Sequence, residues 1–232
     1  MGKGLFFTKV FNQLSDEELE NYHRTVFLNM DGDFAEQKRL EYYQVTLKNL
    51  GQNVKIGRGV RFVNPQYISL ADSVQIGDDC VLIATSERGI NLALGARLKY
   101  GVYLDSETPQ GYIDIGENVY IGTGCCLHGH AGLEIGEYSL LAQNITITPY
   151  SHKFDDKTKI VYSQGGYTGK VTIGRDCYLG MNVSVLHSGN IGEGSVVGAG
   201  SVVVHTIPPY SVAVGVPAKV IKKRGEKIEG EK

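Results

Sequence analysis

Five of the chain's six histidines fall at related places along the sequence. His128 and His130 come one and three residues after Leu127, and His152 comes five after Ile147. His187 comes two after Val185, and His205 two after Val203. Those four aliphatics recur as the third inward position of successive repeat units. The histidines that follow them therefore gather near one corner, on neighbouring turns of chain. Stacked parallel strands lie about 4.8 Å apart, which brings such side chains into reach of one another. Imidazole, with an ordinary pKa of about 6.5, can accept and return a proton near neutrality. It is also a common zinc ligand. Acid–base work and metal binding are the two chemistries such a corner could carry. His152 lies on a long insertion beside Asp155 and Asp156, where it is free to meet a ligand. His128 and His130 lie in a corner expansion, His-Gly-His-Ala-Gly, that suits either a turn or a site. His187 and His205 sit in tight turns and read as turn residues. The sixth, His23, reads as a surface or packing residue of a helix.

The elements that must position this corner are written in sixes. Ile173, Leu179, Val185, Ile191, Val197 and Val203 are all aliphatic, each six after the last. Gly follows at Gly174, Gly180, Gly192 and Gly198. A small or β-branched residue stands four after the aliphatic, at Cys177, Val183, Ser195 and Ser201. A period of six matches neither a helix nor an amphipathic strand; it marks a parallel β-helix. Earlier repeats begin near Val54, with Ile56-Gly57, Ile76-Gly77, a degenerate Leu94-Gly95, Ile115-Gly116, Ile121-Gly122, Ile135-Gly136 and Leu141-Ala142. Ile173 to Ile191 spans three hexapeptides, which makes each coil a triangle of three six-residue sides. Ile76 to Leu94 reads the same way. Ile135 to Ile173 is longer than two such coils, yet no full set of repeats lies between them. One coil therefore carries a long excursion, placed at 148–170. Loops of that length in a tight repeat are usually functional. Tyr150, Phe154, Tyr162 and Tyr167 give it an aromatic inventory suited to stacking on a sugar, or to pinning the loop.

The rest of the composition sets bounds. At 232 residues and 42% hydrophobic, the chain can bury a sizeable core. A net charge of −2 offers no basic field for nucleic acid. The 30 glycines are a turn excess. Cys80, Cys125 and Cys177 occupy the small-residue slot of their repeats and read as core thiols, not as disulfide or metal partners; the role of Cys126 stays open. Residues 1–52 carry no repeats and read as an N-terminal helical segment. Ser15 and Glu18 have capping-box spacing, and a second helix is expected from about Phe34 to Leu50, stopping at Gly51. Together they would cap the lower edge of the β-helix, assigned to 53–206. The segment 207–232 would close the upper end, with Val220 and Ile221 as packing residues before a charged tail. The N-terminal MGKGLFFTKVF holds too short an apolar run for a signal peptide or membrane span, so a cytoplasmic protein is expected.

These residues resemble the hexapeptide-repeat acyltransferases over about 54–224. NITITPYSHKFDD, Gln164-Gly165-Gly166, KVTIGRDCYLGMNVSVL and IGEGSVVGAGSVVVHTIPPYSVAVGVPAKVIKKR are similar to the sugar O-acetyltransferase branch. The resemblance implies a left-handed parallel β-helix, a homotrimer, acetyl-CoA as co-substrate and no metal. It implies His152 as the catalytic base. It places Gly180, Met181 and Ala199 along the pantetheine path, Val204 and His205 near the adenosine end, and Lys219 and Lys222 facing the CoA phosphates. The chain departs from the branch at Tyr178, at Val204-His205, and at Gly122, where galactoside relatives carry an acceptor-binding Asn. The stretch HGHAGLEIGE and the run GGYTGK are similar to serine acetyltransferases, which would make His130 the base instead.

The reaction so implied is acetyl transfer to a hydroxyl of a sugar or surface-polysaccharide precursor. N-acetylation of an amino sugar by the same apparatus is the nearest alternative. A γ-carbonic-anhydrase-like zinc protein is a second, given the clustered histidines and the ending Gly215-Val216-Pro217-Ala218-Lys219. A non-catalytic scaffold is a third, and the long excursion argues against it.

Overall fold

The computed structural model describes residues 13–227. The N-terminal MGKGLFFTKVF lies outside them, as does the end of the charged tail. The chain is an all-β solenoid of about seven turns, a left-handed parallel β-helix with few helices. Three parallel sheets form its faces. The first runs through Asn49–Leu50, Ile68–Leu70, Ile90–Leu92, Ile113–Ile115, Leu133–Ile135 and Val171–Ile173. The second starts at Lys55–Ile56 and climbs through Tyr120–Ile121 and Tyr178–Leu179 to Ser211–Val214. The third runs from Arg61–Val63 through Tyr103–Asp105, Cys126–His128, Thr146–Ile147 and Ser184–Val185 to Val202–Val203.

The strands on these faces are short, each with its aliphatic turned inward. Ile56, Ile76, Leu98, Ile121, Leu141, Leu179, Val197 and Ala213 form one such column by strand register. All are buried in one continuous core. Fully burying each large aliphatic side chain is worth about 1.5–3 kcal/mol, and no coil could bury its own residues without neighbours.

The register corrects one repeat. Ile76 pairs with Leu98, while Leu94 is a turn residue 44% exposed to solvent. The extra residues of that coil sit between Ile83 and Ile90, at the corner joining the third sheet to the first. A Leu-Gly pair in a turn mimics the repeat in writing, but only Leu98 reaches the core column. The coil of three hexapeptides holds higher up, where Tyr178 pairs with Val196. Lower coils are longer, since Lys55 pairs with Gln75 and Arg97 with Tyr120.

Three of the four thiols do sit in the core slot. Cys80, Cys125 and Cys177 are buried, and each thiol lies against a carbonyl of the next coil, Lys99 O at 3.0 Å, Ala142 O at 3.1 Å and Gly192 O at 3.2 Å.

The lower end is covered by helix α2 (Asp33–Thr46) and the turn His23–Phe27 packed on it, while helix α1 (Asp16–Tyr22), which leads into that turn, buries none of its residues. The capping box at Ser15 and Glu18 is formed in full. Helix α2 ends at Thr46, short of the expected Leu50, because Asn49–Leu50 is already the first strand, paired to Ser69–Leu70. Tyr43 and Leu47 enter the core, and the Tyr43 hydroxyl donates to Val60 O at 2.9 Å. His23 is buried here, which settles it as a packing residue. At the upper end Lys219–Lys223 folds back antiparallel on Ser211–Val214. This closing strand leaves Val220 and Ile221 largely exposed in the single chain, against the expectation of packing.

The excursion is a hairpin. Tyr150–His152 pairs antiparallel with Gly166–Thr168, and the connection between them, residues 153–165, carries a helical turn at Val161–Gln164.

Candidate functional site

The third sheet ends at one corner on every coil, and the histidines follow it. Cys126 and Leu127 pair with Thr146 and Ile147 above, and with Tyr103 and Leu104 below. His128 pairs with Asp105. With Leu127 turned inward, Cys126 and His128 point outward from the same strand. Glu107 stands three after Leu104, as His130 stands three after Leu127.

This register builds a tight group. His128 Nδ1–H donates to Glu107 Oε1 at 2.6 Å. His128 Nε2 lies 3.2 Å from Cys126 Sγ. The sulfur first, then the carboxylate, push the His128 imidazole up to about 9 against its partial burial. Glu107 is held in turn. Its N–H donates to Asp105 Oδ1 at 2.8 Å, and the other Asp105 oxygen accepts from the Tyr103 hydroxyl at 2.8 Å. His130 is different. Its Nε2 is 3.9 Å from Glu107 Oε2, its Nδ1 is buried without a hydrogen-bond partner, and burial holds its pKa below the usual value. His130 is therefore the neutral imidazole of this pair and His128 the charged one.

From His130 a row of rings leads outward. His130 stacks on Tyr150, centroids 5.0 Å apart and planes 16° from parallel. Tyr150 meets His152 edge-on at 4.9 Å, and Tyr150 Oη lies 3.3 Å from His152 Nδ1. His152 is exposed at the outer end of the hairpin's short ladder, opposite Gly166. On the next coil His187 lies stacked on Tyr167 at 6.1 Å. His128, His130 and His152 are thus gathered at one place. Asp155 and Asp156 serve the loop: Asp155 accepts from the Tyr167 hydroxyl at 3.1 Å, and Asp156 binds Thr158 and Lys159. Of the loop aromatics, Tyr167 is so pinned, while Phe154 and Tyr162 stand exposed.

The residues expected to hold the donor fall in two places. Gly180, Met181 and Ala199 meet at the corner between the second and third sheets. A Cβ on Gly180 would lie 2.6 Å from Ala199 N, so only glycine allows these coils to close up, and Gly200 N–H donates to Met181 O at 2.8 Å. Lys219 and Lys222 lie on the closing strand at the end of the second sheet. Val204 and His205 follow Val202–Val203 and lie on the histidine corner instead.

Sequence reasoning misses Glu107 and the placement of Cys126. The usable signal is the offset of three from the inward leucine. Taking Leu94 as a repeat hides it, because that choice shifts the coil that carries Glu107.

Ligand atoms of Glu107, His128 and His130 lie within 4.8 Å of one another, close enough in principle for a metal ion. With both ring nitrogens of His128 engaged, by Glu107 and Cys126, the group as it stands is an ion pair. Among the described residues the group is two histidines and a carboxylate. Among those residues, too, no helix is long and apolar enough to cross a membrane.

Comparison with known proteins agrees with this architecture. A family profile described as the hexapeptide repeat of succinyl-transferase matches residues 112–149 and 170–204, breaking where the hairpin is inserted. Over those residues the chain carries the hexapeptide repeat that this profile describes. A Mycobacterium tuberculosis protein described as a probable acetyltransferase is 35% identical over 173 residues, 74% of this chain and 57% of that protein. The galactoside O-acetyltransferase of Escherichia coli is 34% identical over 113 residues, 48% of this chain and 54% of the enzyme. The chain therefore spans little more than half the length of these hexapeptide-repeat relatives. Among solved structures, AntD, an N-acyltransferase from Bacillus cereus in complex with dTDP and 3-hydroxybutyryl-CoA, superposes with a TM-score of 0.56 at 23% identity, over 81% of this chain and 88% of AntD. At that identity the likeness shows the fold.

Proposed function

We propose that this protein transfers an acetyl group from acetyl-CoA to a hydroxyl of a sugar or surface-polysaccharide precursor, with His152 as general base. The observation that carries the reading is the exposed His152 imidazole on the hairpin, set edge-on to Tyr150 and backed by His130. In the productive tautomer His152 Nδ1–H donates to Tyr150 Oη, which leaves the Nε2 lone pair for the acceptor. The acceptor hydroxyl gives its proton to Nε2, and its oxygen attacks the thioester carbonyl. Coenzyme A leaves as its thiol, taking that proton. Exposed Phe154 and Tyr162 supply flat apolar faces for a sugar ring.

The donor would lie along Gly180, Met181 and Ala199, with Lys219 and Lys222 toward its phosphates. Val204 and His205 occupy a different corner of the triangle from that path. One donor touching both sets fits a homotrimer, in which corners of neighbouring chains face each other across a groove. O-acetylation is favoured over N-acetylation by the name of the E. coli relative; the AntD likeness carries fold alone. A cytoplasmic location suits a CoA thioester donor.

The experiment is acetyl-CoA turnover with a panel of free and nucleotide sugars, in wild type, His152→Ala and His130→Ala. Loss of a positioned base typically costs about 10²–10⁴ in rate, and that loss is expected for His152→Ala. A wild-type rate in that variant, with loss in His130→Ala, moves the base to His130.

A further inference from the structure

Cys126, His128 and Glu107 stand in line at the same corner. The thiol is 3.2 Å from one imidazole nitrogen, and the other nitrogen is 2.6 Å from the carboxylate. A nucleophile, a base within hydrogen-bond reach, and an acid that orients the base are the parts that activate a thiol. Each part is held: Cys126 and His128 by one strand flanking buried Leu127, Glu107 by Asp105 and Tyr103 beneath it. The chain supplies its own controls. The other three thiols are buried against carbonyls, and burial pushes Cys80 and Cys125 up to about 11. Cys126 is only partly buried and faces an imidazole instead.

We propose that Cys126, His128 and Glu107 form a nucleophilic triad, separate from His152, whose thiolate takes the acyl group from a coenzyme A thioester. The donor in that statement rests on the proposed function; the reactivity of the thiol does not. In the resting pair the Cys126 proton already sits on His128 Nε2, and in the first step the thiolate attacks the thioester carbonyl. The bond from that carbonyl to the CoA sulfur breaks, and the CoA sulfur leaves with the proton held on His128. One thioester replaces another, so no oxidant or reductant enters. His128, now neutral, takes a proton from water or a hydroxyl acceptor. The oxygen attacks the enzyme thioester and Cys126 leaves as the thiolate, the proton staying on His128. His130, 6.0 Å from His128 between ring centroids, is the other titratable group facing this centre from its own strand end, with Asp105 and Tyr103 on the coil below.

The test begins with alkylation of the full chain by iodoacetamide at pH 6, read cysteine by cysteine by peptide mass spectrometry. Cys126 should react about tenfold or more faster than free cysteine, because an imidazole stands 3.2 Å from its sulfur, where it can hold the thiol proton. The rate should fall to the ordinary value in His128→Ala and partway in Glu107→Gln. Should His128→Ala fail to fold, the wild-type comparison with free cysteine stands alone. A second arm adds acetyl-CoA, or p-nitrophenyl acetate as an activated ester, without acceptor. A hydroxylamine-labile acetyl group on Cys126 is expected from both reagents, in wild type and in His152→Ala alike. Ordinary alkylation of Cys126, unchanged in His128→Ala, overturns the triad. Acetylation by p-nitrophenyl acetate but not by acetyl-CoA overturns the donor while leaving His152 turnover to be judged by its own assay. Protection of Cys126 by stoichiometric Zn2+, with Glu107→Gln abolishing the binding, assigns the group to a metal and overturns the triad.

Discussion

His23 under the N-terminal cap and His128 at the corner are both withdrawn from solvent, yet their surroundings act on them in opposite ways. His23 is stacked on Tyr42 at 3.9 Å between ring centroids and has its Nε2 3.0 Å from the Tyr43 hydroxyl. Its neighbours are rings, a phenol and the buried Arg39, so burial first and that cation second bring it down to about 4. His128 gives up some water as well, but it gains a sulfur on one side and a carboxylate on the other, which carry it up to about 9. The cap uses an imidazole as a flat packing piece. The corner holds one as a cation, between the Cys126 sulfur and the Glu107 carboxylate.

The strongest way to break that comparison is to disturb what the corner stands on. Leu127 lies between the two outward side chains, fully buried between Leu104 and Ile147. Leu127→Ala should cost about 2–5 kcal/mol of stability, read as a shift in the urea midpoint. Iodoacetamide labelling of Cys126 in the folded variant should slow as well. If labelling is unchanged despite the loss, the corner geometry is independent of the column beneath it.

The column is also what the sequence displays most openly. Aliphatics six apart from Ile173 to Val203 can be satisfied only by a coil that turns three times per circuit. The thiols in the small-residue slot and the histidines trailing Leu127, Ile147, Val185 and Val203 follow from the same register. Leu94 misleads because a Leu-Gly pair is written alike in a turn and in a strand end, and only packing tells them apart. Glu107 is hidden for a related reason: a residue's neighbour on the next coil depends on the length of every insertion between them. Val220 and Ile221 read as packing residues because apolar character says what avoids water, not what covers it. The contrast between His23 and His128 is beyond a linear reading, since each depends on partners a helix or a coil away in sequence.

Next in size is the acid limb set by the cap. Folded His23 titrates near 4, against an ordinary 6.5 in the unfolded chain. Between those values the unfolded chain binds a proton that the folded chain refuses. Its contribution is therefore intact above pH 6.5 and is lost as pH falls toward 4, by about 3 kcal/mol in all. Urea midpoints of wild type and His23→Phe, measured from pH 7 to 4, should diverge over this window, with the variant flatter. Parallel curves would mean that the cap opens to admit a charged imidazole.

The corner has the opposite limb, and it is the finer test. Folded His128 titrates near 9 and the unfolded chain near 6.5, so below 6.5 both forms carry the proton and the stabilisation is complete. As pH rises from 6.5 through 9 the unfolded chain releases its proton first, and the contribution is lost. Solvent reaches part of this group, which brings the expected loss to about 1–2 kcal/mol. The order of causes makes a sharper demand than the size. Cys126 contributes more to the shift than Glu107, so Cys126→Ala should flatten the alkaline limb more than Glu107→Gln does, while leaving the acid limb set by His23 untouched. Equal flattening would give the carboxylate a larger share of the work. An alkaline limb unaltered by either substitution would remove the charge from His128 and return the corner to a second piece of packing like the cap.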